Sequence, residues 1–261
     1  MRILQNLILF SLVVFASCKK DPKVETPVVP VTPIETPKTN PSLAFSFNAI
    51  ANNSPLVIAN KGYVNEGGDH FTVALFNYYI TNVRLKRDDG FEFVEPESYH
   101  LIRHSDGKTS FTVSNLPEGN YTSVDFLIGV DAARNTSGAQ TGDLDVNNYM
   151  FWDWDQGYIF FKLEGNYLAK NKTTDAFYAI HVAGFEGKYG AIKPCTYNLN
   201  TPIIATKGDT SKIYFNTVVD EIFKNPKTIA IDDYLVSPGD AGMKMMADNY
   251  ADMIVVDKVE N

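Results

Sequence analysis

The densest cluster of reactive side chains is Tyr149-Met150-Phe151-Trp152-Asp153-Trp154-Asp155-Gln156-Gly157-Tyr158. It holds both tryptophans of the chain, two residues apart. In an extended backbone Trp152 and Trp154 share one face, and Asp153 and Asp155 share the other. Paired indoles can form a flat ligand platform, a core plug or an oxidisable site, and composition favours the core plug. The histidines are His70, His100, His104 and His181. His100 and His104 are four apart, a chelating spacing on a helix, but Tyr99-His100-Leu101-Ile102 reads as a strand, where four residues span ~13 Å. One metal cannot bridge that distance. Asp143-Leu144-Asp145-Val146-Asn147 echoes the start of a calcium loop. Asn148 and Trp154 stand where such a loop needs Gly and Glu, so Asx-turns in a polar loop are the better reading.

Enzyme signatures are missing from the sequence. It contains no G-x-S-x-G elbow, P-loop, H-E-x-x-H or dinucleotide fingerprint, and the chain reads as a binding protein rather than an enzyme. A carboxylate pair for glycoside hydrolysis cannot be singled out among so many acids. Cys18 and Cys195 are the two cysteines. With Cys18 assigned below to a lipid, no internal disulfide and no cysteine-based metal site is expected. Cys195 reads as a small buried residue.

Trp152-x-Trp154-x-x-Gly157-Tyr158, running into Phe160-Phe161-Lys162-Leu163-Glu164-Gly165, resembles the signature of the MbnP-like family of exported copper-binding β-sandwich proteins. Further pieces follow in order: Tyr78-Tyr79-Ile80-Thr81-Asn82-Val83, Ser98-Tyr99-His100-Leu101-Ile102 and Leu116-Pro117-Glu118-Gly119-Asn120-Tyr121. So do Ile128-Gly129-Val130-Asp131, Arg134-Asn135, Ser137-Gly138-Ala139-Gln140-Thr141-Gly142, His181-Val182-Ala183-Gly184-Phe185 and Ala247-Asp248-Asn249-Tyr250-Ala251-Asp252-Met253. The resemblance covers Leu43 to the C-terminus. It implies copper held by histidines together with a tryptophan oxidised to kynurenine by a di-haem peroxidase partner. Carried over, Trp152 or Trp154 is the oxidisable position, His181 or His100 a ligand, and Asp153 or Asp155 a hydrogen-bond acceptor behind an imidazole. The resemblance also implies a C-terminal run with two histidines, where this chain has Lys258 and Glu260. A protonated lysine is no metal ligand, so that departure predicts a reduced donor set. The alternative is a module on the same scaffold that binds a protein or glycan without metal.

The elements that must position these residues begin after a leader. Arg2 and the apolar run Leu7 to Phe15 have the form of a signal peptide over residues 1–17. The run is too short for a membrane span, which needs ~20 residues. Val14-Phe15-Ala16-Ser17-Cys18 resembles a lipobox, which makes Cys18 the lipidation site and a membrane anchor of two or more acyl chains. Residues 18–42 form a stalk with prolines at 22, 27, 30, 33, 37 and 41. In polyproline II, at ~3.1 Å per residue, it would reach about 70 Å from the bilayer. This places the chain at the outer membrane or cell surface, with its domain in the periplasm or outside. Cys18-Lys19-Lys20-Asp21 faintly resembles a surface-export signal.

Residues 43–261 form the domain, and about 220 residues suffice for one core. Losing Arg2 with the leader takes the net charge from −8 to −9, which disfavours nucleic acid as a partner. Period-two alternation at Leu43–Ala49, Phe71–Leu75 and Tyr121–Val130 predicts strands. More are expected at Tyr79–Leu85, Thr109–Val113, Tyr158–Glu164, Phe177–Val182, Lys212–Asn216 and Lys227–Ile231. Asp88-Asp89-Gly90 reads as a hairpin before Phe91 and Phe93. Met243, Met246, Ala247, Tyr250 and Ile254 fall at helical spacing after Ser237-Pro238-Gly239-Asp240. The expected fold is all-β: a two-sheet antiparallel β-sandwich, immunoglobulin-like or related, with one short C-terminal helix packed on it.

Overall fold

The computed structural model describes residues 38–152, 157–236 and 239–261. The leader, Cys18 and most of the stalk lie outside the described residues, as do Asp153, Trp154 and Asp155. The alternating Leu43, Phe45 and Phe47 lie in β1 (Ser42–Ala51) and point inward, each at most 1% exposed. Short pieces follow: β2 (Ser54–Pro55), β3 (Tyr63–Val64) and β4 (His70–Phe71). The long β5 (Leu75–Arg87) turns through Asp88-Asp89-Gly90 into β6 (Glu92–Val94), the expected hairpin. Gly90 takes a φ of 88° there, a conformation that glycine adopts without a Cβ penalty. After β7 (Tyr99–Arg103), β8 (Ser110–Val113) and β9 (Gly119–Ile128) comes the one-turn helix α1 (Ala132–Asn135). Then come β10 (Phe161–Leu168), β11 (Ala176–Val182), β12 (Lys193–Ala205) and β13 (Thr210–Val218). The chain closes with α2 (Ile231–Val236), α3 (Asp240–Tyr250) and β14 (Ile254–Glu260).

Among the described residues these strands form a five-stranded and a nine-stranded sheet. The smaller runs β14-β13-β1-β2, with β8 also on β1; the larger runs β12-β9-β5-β10-β4-β3, with β6 and β7 on β5 and β11 on β10. The pairs are antiparallel except β1 with β13, which is parallel from Ser42↔Thr210 to Ile50↔Val218. The result is an all-β, sandwich-like fold.

Aromatic rings fill the space between the sheets. Phe47 stacks on Phe215 at 5.1 Å within its own sheet and meets Tyr78 and Phe126 of the larger sheet edge-on at 6.2 and 6.3 Å. The Tyr78 hydroxyl and Thr217 Oγ1, 2.7 Å apart and both buried, tie the sheets together with a hydrogen bond.

Two expectations near the C-terminus are corrected. Lys227–Ile231 forms no strand. Ile229 and Ile231 are buried as loop and helix-start residues, held by Ile229 N–H to the Phe223 carbonyl (2.9 Å) and Ile231 N–H to Asp69 Oδ2 (2.8 Å). Period-two apolar spacing marks burial, and burial does not require a ladder partner. The helix carries Met243, Met246, Ala247 and Tyr250 on its buried face, as the spacing predicts, but Ile254 starts β14 instead. The β-branched run Ile254-Val255-Val256 suits a strand, and β13 offers it an edge. Tyr250 stacks on Phe161 of β10 at 5.3 Å, so the methionine-rich stripe is a packing face.

Candidate functional site

Strand parity decides which histidines can meet. His181 on β11 lies opposite Lys162 on β10, which lies opposite Asn77 on β5. His100 on β7 lies opposite Ile80 on β5. Asn77 and Ile80 are three apart on one strand, so their side chains leave opposite faces of the sheet. The two proposed ligands, His100 and His181, therefore cannot serve one metal. His100 faces inward and lies flat on Phe111 of the smaller sheet (3.6 Å between centroids, 2° between planes), its Nε2 2.8 Å from Glu95 Oε2. His104, on the same side, stacks on Phe76 at 4.9 Å, and burial pushes its imidazole down to about 4.

His181 faces outward. Its Nε2 lies 2.7 Å from Glu164 Oε1, and its backbone carbonyl accepts the Tyr234 hydroxyl of α2 at 2.9 Å. The Trp152 ring lies 6.2 Å from the imidazole, tilted by 47°. Trp152 is 38% exposed and is no core plug. Lys162 completes the patch, 3.5 Å from Glu164 and donating to the Tyr149 carbonyl at 3.2 Å. Burial lowers the His181 pKa, Lys162 adds to that, and Glu164 opposes it. Tyr149, in the left-handed conformation with φ 57°, is 79% exposed at the rim.

The backbone beneath Trp152 is a short antiparallel bridge. Trp152 N–H donates to the Gly157 carbonyl (3.0 Å), Ile159 N–H to Met150 (2.9 Å), and Phe151 pairs with Tyr158. Several pieces that carry no obvious role in the sequence converge behind it. Asp131 takes hydrogen bonds from the Tyr99 hydroxyl (2.6 Å) and Asn82 Nδ2 (3.2 Å) and caps α1. Asn135, also from α1, accepts Tyr158 N–H at 2.9 Å. Asp143 is paired with Lys108 and the Leu101 N–H, and Asp145 with the Asn147 N–H. The Asp145 contact is the Asx-type turn expected of a polar loop, while the Asp143 contacts are tertiary and tie that loop to the sheet. Glu164 and Tyr234 have no sequence signal that marks them as partners of His181, because the pairing is cross-strand or tertiary.

Copper chemistry can be tested against this donor set. A metal-ligating histidine usually has its second ring nitrogen oriented by a carboxylate, and Glu164 does this at Nε2, leaving Nδ1 for a ligand. Imidazole nitrogen suits copper. Among the described residues no group of three or more His, Cys, Asp or Glu side chains converges. The fit is to an open, one-histidine site beside an indole, not to a multi-histidine cage. Lys258 and Glu260 do not belong to it. They form an ion pair beside Tyr214, on the outer face of the smaller sheet.

The sequence pattern of the MbnP family matches residues 40–243. A solved structure, MbnP from Methylosinus trichosporium, is similar with a TM-score of 0.50, over 82% of this chain and 97% of that one, at 12% identity. At that identity the likeness speaks for the fold alone. No curated protein matches the chain.

Proposed function

The chain belongs to the MbnP family, and on that premise we propose that it is an envelope lipoprotein, anchored through Cys18, whose domain takes copper at His181 beside Trp152. The observation that carries the copper reading is the carboxylate-oriented imidazole of His181, outward-facing and 6.2 Å from a half-exposed indole. In this reading His181 supplies the nitrogen ligand, Glu164 holds its ring, and Trp152 is the oxidisable neighbour. A di-haem peroxidase of the family's type would be the oxidant. The role is binding, not turnover, at the outer membrane or cell surface.

The test is metal analysis and intact mass on the full chain, purified from its own host grown with copper. One copper per chain is expected, with a kynurenine-sized mass change in the peptide containing Trp152, and both fall in His181→Ala. Copper content equal in the two proteins ends the copper reading. For the anchor, labelled palmitate should enter the protein and be absent from Cys18→Ser; equal labelling ends that part.

A second reading is favoured by one observation. Tyr149, Trp152 and Phe177 (61% exposed) lie on the outer side of the same sheet region, an aromatic surface suited to a protein or glycan. A metal-free chain that retains a specific envelope partner, and loses it in Trp152→Ala, would support this reading over copper.

A further inference from the structure

Trp152 is 38% exposed. The backbone that carries it is hydrogen-bonded to Gly157, and that link leads to one buried side chain. Asn135 is 4% exposed and uses its whole amide. Nδ2 donates to the Val130 carbonyl (2.6 Å) and the Asp131 carbonyl (3.1 Å), while Oδ1 accepts the Tyr158 N–H (2.9 Å). The turn that carries Asn135 is fixed by Asp131, which caps α1 through the Arg134 N–H (3.1 Å) and is bound by Tyr99 of β7 and Asn82 of β5. On the far side, Gly157 has φ 73°, and a Cβ there would overlap Asn135 Oδ1. Gly157 then accepts the Trp152 N–H, and Tyr158 pairs with Phe151. Tyr158 is itself pinned by its hydroxyl to the Leu144 carbonyl at 2.8 Å.

We propose that Asn135 is the positioning residue of the site: its amide, closed against Gly157, fixes the Gly157–Tyr158 backbone and so sets Trp152 beside His181. This rests on reading the Trp152–His181 pair as the functional site. Asn135 acts through one peptide group: its Oδ1 accepts the Tyr158 N–H, and the Gly157 carbonyl of the same peptide accepts the Trp152 N–H. A buried amide with both donors and its acceptor satisfied gives a rigid support, and truncating it leaves the Tyr158 N–H and the Val130 carbonyl without this partner, while the Asp131 carbonyl keeps the Asn135 N–H.

The experiment uses the full chain without copper, in a Trp154→Phe background, so that Trp152 is the one indole. Its emission maximum, acrylamide quenching and near-ultraviolet circular dichroism are compared in Asn135→Ala and in Ile213→Ala, a core truncation in the smaller sheet. Both variants should lower Tm. Only Asn135→Ala should shift Trp152 emission to the red, raise its quenching constant and flatten its near-ultraviolet band. Unchanged Trp152 signals in Asn135→Ala, or equal changes in Ile213→Ala, would overturn the proposal. If Asn135→Ala does not fold, Gly157→Ala pushes on the same contact from the other side and should displace Trp152 in the same way; parent-like signals there overturn the proposal too. Since copper plays no part in these readouts, a chain that binds none would retire the copper reading and leave this result standing.

Discussion

His100 and His181 ride on strands of one sheet, yet their surroundings differ in almost every respect. His100 lies flat on Phe111 within the inter-sheet core. His181 lies on the outer face beside Lys162, Glu164 and a half-exposed Trp152. Each has a glutamate on Nε2, at 2.8 and 2.7 Å, so the hydrogen bond alone does not separate a packed imidazole from an available one. The face of the sheet does. Inward-facing rings contribute through packing, while an outward-facing ring keeps a nitrogen for chemistry at small cost to the fold.

That contrast can be broken or sharpened by experiment. The largest effect should come from the inner face. Phe47→Ala removes the ring that touches both sheets and should cost about 3–5 kcal/mol in denaturant unfolding. A loss below about 1 kcal/mol would mean that the rings of the two sheets are not packed as described.

Next comes acid. Burial holds His104 at about 4, while an unfolded histidine titrates near ~6.5. The native state therefore binds fewer protons between those values. The stability contribution is fully present above about pH 6.5 and is lost as pH falls toward about 4, by up to about 3 kcal/mol. His104→Phe keeps an aromatic ring against Phe76 and should flatten this part of the wild-type slope of stability against pH. An unaltered slope would move His104 out of the core.

Smaller still is the effect on the outer face. His181→Ala should cost less than about 1 kcal/mol, because its pairing with Glu164 is partly solvated, while copper retention falls. Smallest is the far sheet, where Lys258→Ala and Glu260→Ala should leave Tm and copper content unchanged. A drop in copper in either variant would join the C-terminal strand to the site and undo the separation of the two faces.

Much of the architecture was legible in the residues. The alternation in Leu43-Phe45-Phe47 and in Val124-Phe126-Ile128 marks inner faces correctly, because one side of each strand is buried and side chains alternate. Asp88-Asp89-Gly90 announces its hairpin through a glycine at positive φ. The methionine stripe of α3 reads as packing and is packing. Other elements were harder to see. In β12 the inward side chains Cys195, Tyr197, Leu199, Ile203 and Ala205 do alternate, but Asn198, Asn200, Thr201 and two prolines lie among them and mask the period. β14 exists because β13 offers it an edge. Within the site, Trp152 and His181 were legible as candidates, but Glu164, Tyr234 and Asn135 were not, since each acts on a residue at least seventeen positions away.

Residue types are written in the chain: a tryptophan pair with acids between, few histidines, apolar alternation, and the ordered motifs of the MbnP family. Tertiary structure alone decided which of them meet. Register across β7, β5, β10 and β11 puts His100 and His181 on opposite faces, and a one-residue slip in any of those pairings would reverse that. Register is set by the packing of whole strands against each other, so it cannot be read from either histidine or from its neighbours in the chain.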